Sequence, residues 1–287
     1  MEGMFHDLDA EVYHGAPGCS HSMLKHMDPP ARLPAYLAEK REPTTAMIMG
    51  TLVHSMVLEP DKPLPKIAVK PEGMKFSTNE GKEWRKKQDG LLILTAEEFE
   101  TLSGCVSSIS KHPEARACFL QGTSEVSCFV KADSGRAESV SLFKKCRIDW
   151  VSWGDCLADV KTVQHECAGP DEFSKILFDM RYYTQAAWYL DIYNALNPER
   201  PKKHFVFIAV EKKAPYLVAV YYVREESIAL GRKKNAQDFM QYVSCGLEGK
   251  WPGFDGVNPI GVPQWAMTRE NNKENAEWML RVAANQL

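Results

Sequence analysis

The sequence has no apolar run long enough to cross a bilayer and no strong imbalance of charge. A membrane-spanning helix needs about 20 consecutive apolar residues, and no segment of the chain approaches that length. The formal net charge is only -3, so overall charge does not indicate a polyanionic partner, although a local basic groove can coexist with an acidic metal site. The first ten residues are acidic and mixed, unlike a secretory signal peptide. We expect a globular protein of the cytoplasm.

Clustered cysteines and a nucleotide-binding glycine loop are missing as well. The 8 cysteines include no C-x-x-C pair, whereas zinc and iron–sulfur sites draw on clustered ligands. Scattered cysteines in a chain of this length are typical of reduced thiols. A Walker A loop is also excluded, because Gly81-Lys82 is followed by Glu83 and position 76 is not glycine. We therefore expect no iron–sulfur cluster and no use of ATP.

What the sequence does contain is a change of pattern along its length. Helical patterns precede strand patterns that begin near residue 124, and two helices, two strands and a long helix follow. This order predicts a mixed α/β fold, with a central mixed β-sheet flanked by helices. We expect an N-terminal arm over 1–44, the core over 45–250 and a C-terminal extension packed on the core over 251–287.

Two adjacent strand patterns carry acidic residues between apolar neighbours. Asp149 and Asp159 lie on segments joined by a turn at Gly154. Side chains alternate along a strand, so Asp159 and Lys161 share a face and Asp149 can meet them from the neighbouring strand. A buried carboxylate without a partner is costly, and a divalent cation between the carboxylates removes that cost. The pattern is typical of a nuclease-type metal site, and the alternative is a structural Asp159–Lys161 ion pair.

Other candidates are ambiguous when each is taken alone. His54 shares a helical face with small residues, and a half-buried structural histidine has the same pattern. Glu125 opens a strand pattern, where a solvated strand end is common. Gln185 and Tyr189 stand four residues apart on a helix and can hydrogen-bond a phosphate or hold a lysine in place, but an ordinary amphipathic helix also fits. A basic run, which is usually a solvated face, contains Lys82, Arg85, Lys86 and Lys87.

Taken in chain order, these residues form motifs that resemble a known family. The motifs are Gly50-Thr51-Leu52-Val53-His54, Glu125, Arg147-Ile148-Asp149, Asp159-Val160-Lys161 and Gln185-Ala186-Ala187-Trp188-Tyr189. They resemble the RecB-like branch of the PD-(D/E)XK nuclease superfamily and, within it, the RecE-type (exonuclease VIII) nuclease domain. Residues 13–25 and 46–60 resemble that group too, so the resemblance covers most of 10–245.

The resemblance implies a PD-(D/E)XK, restriction-endonuclease-like core that hydrolyses DNA with Mg²⁺, for which Mn²⁺ can substitute. It implies that Lys161 orients or deprotonates the attacking water and that Gln185 and Tyr189 position Lys161 or the scissile phosphate. The implied metal ligands are His54, Glu125, Asp149, Asp159 and the Val160 carbonyl. The implied catalytic residues are Asp149, Asp159, Lys161, Gln185 and Tyr189. The candidate DNA contacts are Lys82, Arg85, Lys86, Lys87 and Arg181.

The resemblance also implies a biological setting. It implies 5′→3′ digestion of linear double-stranded DNA that leaves 3′ single strands for phage-type homologous recombination, in a bacterial or phage-infected cell. The implied partners are DNA ends, a single-strand annealing recombinase and further copies of the chain in a ring-shaped trimer or tetramer. Three alternatives stay open: a single-strand or structure-specific nuclease of repair or defence, a non-catalytic DNA-binding module, and a metal-dependent hydrolase of another small phosphate ester.

Overall fold

A computed structural model of the protein describes residues 2–39, 42–63, 65–132 and 142–284. The strands are β1 (Gly3–Phe5), β2 (Cys19–Ser20), β3 (Ile67–Val69), β4 (Leu92–Leu94), β5 (Gly122–Ala132), β6 (Leu142–Ser152), β7 (Cys156–Val163), β8 (His204–Glu211) and β9 (Val218–Tyr222). The helices are α1 (Ala10–Gly15), α2 (His21–Leu24), α3 (Arg32–Ala38), α4 (Thr45–Leu58), α5 (Asn79–Lys87), α6 (Ala96–Lys111), α7 (Pro113–Cys118), α8 (Pro170–Asp179), α9 (Tyr182–Leu196), α10 (Glu225–Glu248) and α11 (Gln264–Ala284).

A seven-stranded mixed sheet forms the centre of the fold. Its order is β1-β5-β6-β7-β8-β9, and β2 pairs with β6 beside this path. Strand β6 is antiparallel to both β5 and β7, β7 is parallel to β8, and β9 is antiparallel to β8. Strands β3 and β4 form a separate parallel pair. The predicted mixed α/β fold with a central sheet is confirmed.

Helices cover both faces of the sheet because its inner strands carry apolar side chains on both faces. On β8, Phe205 and Phe207 pack in one core cluster with residues of α9 and α10. Val206 and Ile208 pack in a second cluster with residues of α4 and α6. A strand that is buried on both faces reads as a continuous apolar run, and seven of the eight residues of β8 are buried.

The hairpin of β6 and β7 opens at its two acidic residues. Trp150 and Ala158 form the last antiparallel pair, and the next residues in that register are Asp149 and Asp159. Strand β7 pairs with β8 along its whole length, while β6 no longer pairs with β7 beyond this point and pairs with β2 farther along. The sheet therefore forks at the acidic residues, and polar side chains occupy the space between the branches.

The chain divides into two compact units, Met1–Trp251 and Pro252–Leu287. The predicted arm over 1–44 supplies β1 and β2 to the central sheet. Its boundary at residue 44 and the packing of the extension stay predictions. Within the described ranges, no helix combines the length and the apolarity that crossing a bilayer needs.

Candidate active site

Three potential metal ligands converge at the fork in the sheet. His54, Glu125 and Asp149 each offer a ligand atom, and these atoms lie within 4.8 Å of one another. They come from α4, β5 and β6. Helix α4 presents His54 because its opposite face, which includes Leu52 and Val53, is buried in the core. An imidazole and two carboxylates are donors that Mg²⁺ and Mn²⁺ accept.

Glu125 reaches this cluster through an unusual backbone conformation. Its φ is +54°, and the pairing of β5 with β6 skips Glu125 opposite Asp149. The Arg147 side chain fixes the carboxylate, because its Nε donates to Oε2 at 2.5 Å and its Nη1 donates to the Leu8 carbonyl at 2.8 Å. A left-handed conformation at a non-glycine residue costs energy, and Arg147 helps to hold Glu125 in it.

His54 links Asp149 to the backbone of β7. Its Nε2 lies 2.6 Å from the Val160 carbonyl and its Nδ1 lies 3.1 Å from Asp149 Oδ2. Since a carbonyl only accepts, Nε2 donates to Val160, and the contact on the other side needs a proton from either His54 or Asp149. The predicted ligand carbonyl of Val160 is therefore engaged by His54 in this structure.

The carboxyl group of Asp149 has a pKa close to neutral pH. Burial, followed by the negative charge of Asp159, raises the pKa of Asp149 to about 7, against the lowering effect of His54 and Lys161. The Val160 amide donates to Asp149 Oδ2 at 3.4 Å. A carboxyl pKa raised this far indicates that the nearby positive charges do not balance the negative charge of the ionised group. The cluster therefore fits a divalent cation.

Asp159 lies beside this cluster and is engaged by two other side chains. It is 1% exposed, and one of its oxygens lies 2.6 Å from Lys161 Nζ. The other oxygen accepts a hydrogen bond from Gln185 Nε2. Gln185 thus positions Asp159 directly and Lys161 through it. The predicted role of Asp159 as a metal ligand stays a prediction.

Lys161 is a charged amine held in a largely apolar setting. Its Nζ lies 4.7 Å from the ring centroid of Tyr182 and 5.8 Å from that of Phe207. Burial alone lowers the pKa of Lys161, but Asp159 and Tyr182 outweigh burial and raise it above its ordinary value. The ammonium is therefore fully protonated near neutral pH and has one defined position.

Tyr189, four residues after Gln185 on α9, lines a cavity of about 250 Å³ together with Arg147 and His21. Its ring packs edge-on against Phe205, with centroids 6.0 Å apart. Burial raises the pKa of Tyr189 well above its ordinary value, so the phenol keeps its proton. The cavity that Tyr189 lines is bounded by Arg147, the residue that holds Glu125, and the predicted catalytic role of Tyr189 stays a prediction.

The predicted DNA contacts divide into two groups. Four of them lie exposed on α5: Lys82, Arg85, Lys86 and Lys87. Helix α5 packs tightly on the preceding loop, since a Cβ added at Gly81 would lie 2.1 Å from the Lys75 carbonyl oxygen. Arg181 differs, because its guanidinium pairs with Asp238 and its Nη1 donates to the Leu24 carbonyl at 3.1 Å.

Comparison with known proteins identifies the fold. A family model described as "PDDEXK-like domain of unknown function (DUF3799)" matches residues 20–256. The chain belongs to this family. A crystal structure described as "Putative exonuclease", from Eubacterium rectale, is 13% identical with a TM-score of 0.57, over 89% of this chain and 96% of that one. A second crystal structure, described as "SSO0001", is 12% identical over 75% of this chain and 84% of that one, with a TM-score of 0.26. No curated protein matches the chain.

The family match, together with the clustered ligand atoms, supports a metal-dependent nuclease of the PDDEXK-like kind. Arg147 belongs to one of the sequence motifs but received no role from the sequence, and in the structure it holds Glu125. A signal for it was present, because Arg147 stands two residues before Asp149 and strand alternation places both on one face. The contact from Gln185 to Asp159 had no such signal, since it joins α9 to β7 across the fold.

We expect this PDDEXK-like domain to bind Mn²⁺ or Mg²⁺ less tightly as pH falls below about 7. A metal ligand must be deprotonated, and Asp149 takes up a proton near that pH. The apparent affinity should fall roughly tenfold per pH unit in this range. Calorimetric titration with Mn²⁺ at pH 6 and pH 8, in buffers of different ionisation enthalpy, measures both the affinity and the protons released. Equal affinity at the two pH values would show that Asp149 is not a ligand.

Proposed function

We propose that this protein is a Mg²⁺-dependent exodeoxyribonuclease that digests linear double-stranded DNA in the 5′→3′ direction. The observation that carries the proposal is the convergence of His54, Glu125 and Asp149 within 4.8 Å, beside a buried Asp159–Lys161 pair. This is the arrangement that phosphodiester hydrolysis needs, with a cation site and a fixed amine side by side. The description of the E. rectale protein as a "Putative exonuclease" also supports it.

The residues divide the chemistry between them. His54, Glu125 and Asp149 would hold the cation, which when bound supplies the positive charge that acidifies water and offsets charge on the phosphate. Lys161, whose charge acts on Asp149, would orient the water and stabilise the negative charge that builds on phosphorus. Gln185 fixes the Asp159 carboxylate by hydrogen bonding, and Asp159 in turn fixes Lys161.

The setting of the reaction is part of the proposal. The motifs that resemble RecE-type nucleases support DNA duplex ends as the substrate and 3′ single strands as the product. They also support a role of this reaction in homologous recombination. They also support a single-strand annealing recombinase as partner, a ring-shaped homo-oligomer, a cytoplasmic location and Mg²⁺ as the ion. The exposed basic residues of α5 supply a surface that can contact the DNA backbone.

Digestion of matched DNA substrates tests the proposal. With Mg²⁺ present, we expect linear duplex carrying a 5′ label to release labelled mononucleotide early, and duplex carrying a 3′ label to retain its label until late. A covalently closed circle of the same sequence should survive. Cleavage of the circle, or preference for single strands, would favour a structure-specific or single-strand nuclease. Binding of DNA without any cleavage would favour a non-catalytic module.

A further inference from the structure

Lys25, a lysine beside the candidate active site, lacks among the described residues the ion-pair partner that its charged neighbours have. It follows the last residue of α2 and is half-buried. Within the ranges that the structure describes, its ammonium makes no hydrogen bond or ion pair. The nearby cations differ: Lys161 pairs with Asp159, and Arg181 pairs with Asp238.

The backbone around Lys25 is fixed against the first turn of α9. Thr184 Oγ1 donates to the Arg181 carbonyl at 2.7 Å, and it accepts from His21 Nε2, also at 2.7 Å. Burial lowers the pKa of His21 well below its ordinary value, so this histidine stays neutral and keeps the hydrogen bond. Arg181 Nη1 also donates to the carbonyl of Leu24, the residue before Lys25. These hydrogen bonds fix the position of the Lys25 backbone relative to α9.

The positive charge of Lys25 itself is not offset by an ion pair within the part of the chain that the structure describes. Burial, followed by the charges of Lys161 and Arg181, lowers the pKa of Lys25. The amino-terminal end of α9, a helix of 15 residues, adds a positive partial charge. A half-buried ammonium among like charges is unfavourable unless an anion joins it. An anionic group that approaches Lys161 would therefore meet Lys25 as well.

We propose that Lys25 binds a phosphate of the DNA strand next to the phosphate that is cleaved. The inference rests on the proposed function, because it takes the space beside Lys161 as the place of the scissile phosphate. It assigns to Lys25 a role in holding substrate rather than in the chemical step. Phosphate contacts of this kind fix the register of the backbone and carry no sequence preference.

Salt-dependent binding of DNA separates this role from a structural one. We would measure the anisotropy of a fluorescein-labelled duplex in Ca²⁺, over a range of salt concentrations, for the wild type, Lys25→Ala and Lys25→Arg. Lys175→Ala is the matched control, since Lys175 is exposed and pairs with Glu172 at 2.6 Å on α8. We expect Lys25→Ala to weaken binding about tenfold and to reduce the slope of log K against log salt by about 0.9. Lys25→Arg should restore both, and Lys175→Ala should change neither.

The cleavage assay on the same variants keeps the two proposals apart. If the wild type cleaves DNA but Lys25→Ala keeps the wild-type salt slope, the role of Lys25 is wrong and the nuclease stands. If the wild type binds DNA without cleaving it, the proposed function fails and the role given to Lys25 fails with it, because no phosphate is then cleaved; the salt slope would still show whether Lys25 contacts DNA. A wild type that neither binds nor cleaves DNA overturns both. A loss of binding in Lys25→Ala with an unchanged slope, not restored by arginine, would indicate a structural defect and also overturn the inference.

Discussion

Replacing Lys161 with alanine is expected to lower the rate of DNA cleavage by about 10³- to 10⁴-fold. The substitution removes an amine that Asp159 holds at 2.6 Å and that the Tyr182 ring confines on another side. It leaves His54, Glu125 and Asp149 in place, so Mn²⁺ binding should persist. Single-turnover cleavage of labelled linear duplex, with saturating enzyme and Mg²⁺, measures the chemical step without the contribution of product release.

The same variant should show a characteristic change in stability. Without its ammonium partner, Asp159 remains buried with only the hydrogen bond from Gln185, and breaking a buried ion pair from one side typically costs on the order of 3–5 kcal/mol. A bound cation would replace part of the lost positive charge. We therefore expect Mg²⁺ to raise the melting temperature of Lys161→Ala more than that of the wild type.

Two controls make the test of Lys161 decisive. Lys161→Met keeps most of the side-chain volume, so it separates loss of charge from loss of packing. Lys175→Ala removes an exposed lysine and should leave cleavage unchanged. Turnover of Lys161→Ala within a few-fold of the wild type, in a folded protein, would falsify the role given to this residue.

The longer elements of the fold could be predicted from local sequence. The sequence pattern predicts helices over 46–58 and roughly 182–196, and the structure has helices at Thr45–Leu58 and Tyr182–Leu196. The short strands β1 and β2 were not predicted, since three and two residues show no periodicity. They exist because a long neighbouring strand offers them hydrogen bonds, which is a tertiary effect.

The acidic residues of the site were predictable, but their surroundings were not. A hairpin predicts that Asp149 and Asp159 lie opposite each other, yet the fork between them arises because β7 stays paired with β8 where its pairing with β6 ends. Face alternation is also interrupted along β6, because Ile148 and Val151 lie an odd number of residues apart and pack in the same cluster. No local pattern indicates such an interruption.

Contacts between residues that are far apart in the sequence complete the site, and these pairings could not be predicted from the sequence. His54 meets the Val160 carbonyl from 106 residues away, and Lys25 lies near Lys161 because α2 docks on α9. The sequence alone gives the type of each residue but does not show which residue it contacts. That Lys25 has no ion-pair partner in the described ranges is therefore visible only in the structure.

Replacing Asp149 with asparagine is expected to abolish cleavage and, at the same time, to stabilise the protein in the absence of metal. The side chain keeps its shape and can still accept from the Val160 amide, but it loses the charge that a cation needs. We expect the loss of activity to be at least about 10³-fold, comparable with removal of a major electrostatic contribution. Mn²⁺ binding by calorimetry should weaken in parallel.

The gain in stability follows from the raised pKa of Asp149. In the folded protein this pKa is about 7, while an unfolded chain releases the same proton near pH 3.9. Between these values the folded state binds the extra proton, so stability falls as pH rises, and the penalty is complete above pH 7. Asparagine removes the penalty, which is on the order of 1–4 kcal/mol. The metal-free variant should therefore melt several degrees above the wild type at pH 8 and at nearly the same temperature at pH 4.

The comparison has to be made in EDTA, because a bound cation stabilises the wild type by an amount that grows with the logarithm of the cation concentration above its Kd. Added Mg²⁺ should raise the melting temperature of the wild type and have little effect on Asp149→Asn. A variant that melts below the wild type at pH 8 in EDTA would mean that the Asp149 charge supports the fold through His54. Opposite movements of stability and activity would instead show that the charge is retained for the cation, at a cost to the fold.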